Sequence, residues 1–102
     1  MKRLVIQVTH VDEDVASTAL VNSLAAMKKI EMITFNDKKV VIEPHDDVRG
    51  IIARVDFSYV SPAAEKSKVA SAALQYAIQS LIKAQLFNVT HLKVIIETGS
   101  IE

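Results

Sequence analysis

The chain has 102 residues, half of them hydrophobic but only 5% aromatic, and 12 basic against 12 acidic side chains leave no formal net charge. One domain fits in this length, and the aliphatic surplus excludes a disordered tail. The lack of cysteine excludes disulfide scaffolds and thiolate zinc sites, neutrality argues against unaided phosphate binding, and no run of roughly twenty apolar residues offers a membrane span.

Leu4, Ile6 and Val8 alternate with Arg3, Gln7 and Thr9, which predicts a half-buried strand, with Val5 adding apolar character to its second face. Asp12-Glu13-Asp14 opens a helix over 13–28, with Asp12 as N-cap and the acidic cluster suited to the positive end. Ala16, Ala19, Leu20, Ser23, Leu24 and Met27 line one side of it, and Lys28-Lys29 suits its negative end. Residues 30–35 and 39–43 read as strands on either side of the turn signal Asn36-Asp37. A polar loop from Pro44 to Gly50 follows. The clearest strand is 51–60, where Ile51, Ala53, Val55, Phe57 and Tyr59 point one way and Arg54, Asp56 and Ser58 the other. Ser61-Pro62 predicts the start of a long helix running to about Leu86 and ended by Phe87-Asn88, and 91–97 is the last strand.

Two amphipathic helices and one sheet predict an α+β, two-layer sandwich: a mixed four- to five-stranded sheet with both helices on one face, in a single domain spanning 1–102. Two topologies compete. If 30–43 is one kinked strand, the order is ferredoxin-like, β-α-β-β-α-β. If Asn36-Asp37 closes a hairpin, the order is β-α-β-β-β-α-β. Asn and Asp favour turns over ladders, so the second order is preferred. That order resembles the small tautomerases of the macrophage-inhibitory-factor type. Those enzymes use an N-terminal proline as base, whereas Lys2 stands at that place, so the resemblance stops at element order and brings no site.

The topology decides where the histidines fall. In the ferredoxin-like order His10, His45 and His91 meet at one sheet end with Asp12, Asp46 and Asp47, a ligand mix suited to a divalent transition metal. In the other order the set is broken. No spacing within it matches a known metal motif, and no cofactor is called for. Gly50 and Gly99 are the only glycines, too few for a phosphate-cradling loop. The basic residues are dispersed, so a nucleic-acid role ranks last. Glu31, Asp56 and Glu97 could share the open sheet face, but pairing, such as Arg54 with Glu97, would keep them ionised rather than poised as bases.

The open sheet face is the strongest candidate. It is expected to carry Val5, Ile33, Phe35, Arg54, Asp56, Lys93, Ile95 and Glu97: too apolar for bare surface, too charged for a core, and suited to a protein interface. Ala72 and Tyr76 on the long helix, and the edge strands, offer further surfaces. The leading expectation is a non-enzymatic, self-associating module, cytoplasmic, acting by homo-oligomer assembly or by binding a protein partner, with no membrane role. The alternative is a small-molecule- or metal-binding protein or enzyme, with a pocket at a sheet end or subunit boundary.

Overall fold

The computed structural model describes residues 2–86 and 88–98. The elements in chain order are β1 (Lys2–Thr9), α1 (Glu13–Lys29), β2 (Ile33–Phe35), β3 (Val41–Pro44), β4 (Gly50–Tyr59), α2 (Lys68–Gln85) and β5 (His91–Thr98), with 3-10 turns at Asp37–Lys39 and Pro62–Lys66. β4 pairs with β1, and β1 with β5, so the two longest crossovers leave β5 at one edge. β2 and β3 both lie along the other side of β4. Every pairing is antiparallel, which corrects the expectation of a mixed sheet.

The preferred hairpin at Asn36-Asp37 does not form. Phe35 pairs with Phe57 and Val41 with Arg54, so the chain resumes in the same direction along β4. Asn36 does act as a turn residue, its side chain accepting from the Lys38 N–H at 2.9 Å. The turn bulges three residues out of the edge without reversing it. β2 and β3 are therefore one interrupted edge strand, and the path is the ferredoxin-like β-α-β-β-α-β. With the hairpin goes the element order shared with the tautomerases.

The core lies between sheet and helices. Ala16, Ala19, Leu20, Ser23, Leu24 and Met27 of α1 are all buried, as their spacing predicts. Asp12 caps α1 by accepting from the Asp14 N–H. At its other end Ile30 closes the helix and Glu31 turns left-handed (φ 61°), so 30–32 are the reversal into β2 rather than strand. From β1 and β4 come Leu4, Ile6, Val8, Ile51, Ala53, Val55, Phe57 and Tyr59.

α2 departs from its predicted start. Ser61-Pro62 opens the 3-10 turn, and the helix is capped by Ser67, whose hydroxyl accepts from the Ala70 N–H at 3.1 Å. Leu74, Ile78 and Ile82 are fully buried, whereas Val69 in the first turn is 79% exposed. Ser71 and Gln75 turn inward: Ser71 bonds the Tyr59 hydroxyl at 3.0 Å, and Gln75 donates to the Val94 carbonyl at 2.9 Å. Gln85 ties the helices together, its Nε2 lying 3.1 Å from the Ala19 carbonyl and 3.0 Å from the Ser23 hydroxyl. Phe87 and the tail from Gly99 lie outside the described residues. Among the described residues no helix is long and apolar enough to cross a membrane.

Candidate functional site

Cross-strand register assigns the uncovered face row by row. One row runs Val41, Arg54, Val5, Ile95 across β3, β4, β1 and β5. The next runs Glu43, Ile52, Gln7, Lys93. On the other side, Arg3 stands between Asp56 and Glu97. Six of the eight residues expected on this face are there: Val5, Arg54, Asp56, Lys93, Ile95 and Glu97. Ile33 and Phe35 are not. They pair with Tyr59 and Phe57, whose side chains face the helices, so Ile33 is 1% exposed in the core and Phe35 packs at its margin beneath Lys28. The face of β2 is set by the β4 residues it pairs with, which the pattern within β2 does not reveal. Val41, Ile52, Glu43, Gln7 and Arg3 also lie on the face; strict alternation from Ile51 and Ala53 places Ile52 there.

Four of the charges on the face form two pairs. Arg3 Nε donates to Asp56 Oδ1 at 2.8 Å, joining β1 to β4. Arg54 bonds Glu43 Oε1 at 3.0 Å, joining β4 to β3, and not Glu97 as expected. The direct hydrogen bond from Arg3 holds the Asp56 carboxyl below its ordinary value, against a smaller opposing effect of burial. The same bond raises Arg3. Glu31 sits in the reversal after α1, away from the face, so the three-carboxylate group does not assemble. Among the described residues Lys93 and Glu97 make no ion pair, and Ile95 between them is 39% exposed.

The ferredoxin-like path does bring the histidines to one sheet end, and two of them meet. The rings of His10 and His91 lie 4.0 Å apart at 36°. Each Nδ1 contacts a threonine hydroxyl, Thr9 at 3.2 Å and Thr90 at 2.8 Å. His10 is left-handed (φ 66°), and its N–H donates to the Arg49 carbonyl at 2.7 Å. His45 is committed to its own loop, its Nδ1 accepting from the N–H groups of Asp47 and Val48 at 3.2 and 3.4 Å. Asp12 is committed to its cap. Among the described residues no three His, Cys, Asp or Glu side chains stand together as a metal site, so His10, Asp12, His45, Asp46, Asp47 and His91 do not form the expected ligand set. The described surface depressions are open grooves, one of them between Asp14, Val15, Thr18 and Gln85, Leu86. Tyr76 is 73% exposed on the outer side of α2, beside the exposed Ala72 and Ala73.

No protein-family model matches this sequence, and no curated protein matches it. Among solved structures, the solution NMR structure of a de novo designed protein with ferredoxin fold aligns over 97% of this chain and 86% of its own, with 13% identity and a TM-score of 0.49.

Proposed function

We propose that this protein acts by assembling with further copies of itself through its sheet, as a module that works by association rather than by catalysis. The observation that carries this reading is the uncovered face. Both helices pack on one side, and the other side holds the cross-strand row Val41, Arg54, Val5 and Ile95, in which Val41 and Ile95 are exposed and Val5 is buried, with half-buried Ile52 beside it. Exposed aliphatics set among charges are the usual build of an interface. The bordering charges are of both signs, in a chain with no net charge. Such a surface meets its own copy without net repulsion, which favours a second copy over an acidic or basic partner.

Light scattering across a dilution series tests the reading. A mass of two chains or more at micromolar concentration, falling on dilution, is the expected result. A single-chain mass at every concentration overturns it.

A further inference from the structure

We propose that the seam of this assembly is the outer edge of β5, paired antiparallel with β5 of a second copy about Ile95. The proposal rests on the assembly reading above but places the contact at the sheet edge, where Ile95 alone of the face's aliphatic row reaches the second copy. β5 is an eight-residue strand with β1 on one side and, among the described residues, no strand on the other. It contains no proline and no bulge. An uninterrupted edge of this kind is a ready template for another strand.

The backbone parity of β5 limits the possible registers. In an antiparallel ladder alternate residues turn their backbone groups toward one neighbour. The Val94 carbonyl is reached from outside by Gln75 at 2.9 Å, and the His91 carbonyl lies 3.5 Å from the Thr9 hydroxyl of β1. The odd-numbered residues of β5 therefore bond β1, and Leu92, Val94 and Ile96 present theirs outward.

Within that parity one register is self-complementary. With Val94 opposite Ile96 of the second copy, Ile95 meets Ile95, and Lys93 meets Glu97 twice, once on each side of the two-fold axis. The two charged residues of β5 that lack an ion pair among the described residues are thus each other's partners. On the helix side, half-buried Ile96 gains Val94 of the second copy as a neighbour. Helix α2 lies above this edge, as the Gln75 bond to Val94 shows, and Ala72 one turn earlier lies on that flank. Helices pack about 8–10 Å apart, close to two strand spacings, so the two copies of α2 would meet with Ala72 allowing close approach. Gln75 has a second role here: it occupies the Val94 carbonyl in the single chain and must share or release it when the strands pair.

The test uses charge reversal. Lys93→Glu alone and Glu97→Lys alone each place like charges opposite one another at both ends of the seam, so each variant is expected to raise the dimer Kd about tenfold. Mixed, the two variants pair opposite charges at both ends, so the mixture is expected to recover the parent's mass. The double variant Lys93→Glu/Glu97→Lys recovers it within one chain and controls for folding. Amide exchange at Val94 and Ile96 is expected to slow as concentration rises. Several outcomes overturn the seam while leaving assembly standing: an associating parent whose single variants associate equally well, a mixture or double variant that stays as weak as its parts, or recovery without slowed exchange at Val94 and Ile96, which would mean packing through the open face. A parent that is one chain at every dilution removes the assembly reading and the seam together.

Discussion

Along the β2–β3 edge the chain leaves the sheet at Asn36, returns at Val41 and ends its pairing at Pro44, with Lys38 and Lys39 on the excursion. Along the β5 edge it runs unbroken from His91 to Thr98. Interruption, proline and lysine are the usual means by which an exposed edge is kept from recruiting strands. One edge of this sheet has all three, while β5 has only its charges and the bond from Gln75 to Val94. The charges follow the same division. Arg54 is paired with Glu43 at the guarded edge and Arg3 with Asp56 in the middle, whereas Lys93 and Glu97 on β5 make no pair among the described residues. A sheet with one guarded and one open edge forms closed pairs, because each copy has a single edge to offer.

The largest expected effect is at the turn that leads into β4 and on which the guarded edge depends. Gly50 has φ 136°, and a Cβ there would stand 2.3 Å from the Val8 carbonyl oxygen and 2.6 Å from the Thr9 Cα. Both are backbone atoms and cannot swing aside. Gly50→Ala is expected to destabilise the fold by about 3 kcal/mol or more, combining backbone strain with overpacking, and to splay the start of β4 from the end of β1. Urea unfolding measures the first effect, and faster amide exchange at His10, whose N–H donates to the Arg49 carbonyl, the second.

Removing the guard tests the comparison directly. Between Phe35 and Val41 the edge takes six steps while β4 takes three from Phe57 to Arg54. Deleting Asp37–Lys39 restores equal length and leaves a second continuous edge. The expected result is growth beyond a pair, seen as masses that rise with concentration without reaching a plateau. A deletion variant that keeps the parent's mass would show that the excursion guards nothing.

Much of the fold could be read from residue pattern because burial repeats with a fixed period. The six inward residues of α1 and the alternation of β4 follow directly from the order of apolar side chains. The path after β2 could not be read that way. Asn36 signals a local turn, and it makes one, but local chemistry does not say whether the chain comes back along the same neighbour. That depends on which residues of β4 receive it, a long-range fact. The inward face of Ile33 and Phe35 is hidden for the same reason, since it is set by Tyr59 and Phe57. The metal set failed at a shorter range. His45 and Asp12 have local backbone partners, and their residue types alone do not reveal that they are already engaged. On α2, Gln75 reads as a solvated residue, and only the position of β5 beneath it gives it an edge to cover.

A smaller effect is expected from Ile95→Lys, which puts a second lysine on β5, at the centre of the open edge. Two copies would bring these charges together, and the dimer Kd is expected to rise about tenfold, or 1.4 kcal/mol. Gln75→Ala is expected to act in the opposite direction by a few fold, because it frees the Val94 carbonyl before the partner strand arrives. Sedimentation at matched concentrations compares all three chains. If Ile95→Lys associates as the parent does, the open edge is not where copies meet, and the contrast between edges loses its consequence.

The smallest expected effect is the pH dependence of the pair within the sheet, Arg3 with Asp56. Its side chains are about 40% exposed, so its contribution to stability is small. The folded chain holds the Asp56 carboxyl below its ordinary value, chiefly through the Arg3 hydrogen bond. A depressed carboxyl stabilises the fold at pH values above the unfolded pKa of about 4, and that contribution fades as pH falls through the lower folded value. Asp56→Asn removes the contribution at every pH. Melting temperatures of parent and variant are therefore expected to differ by a small constant amount above pH 5 and to converge in stronger acid. Because Asp56 is paired within the chain and lies two strands from the open edge, the variant is expected to leave the dimer Kd unchanged. A shift in Kd larger than the shift in stability would mean that copies meet across the face rather than along β5.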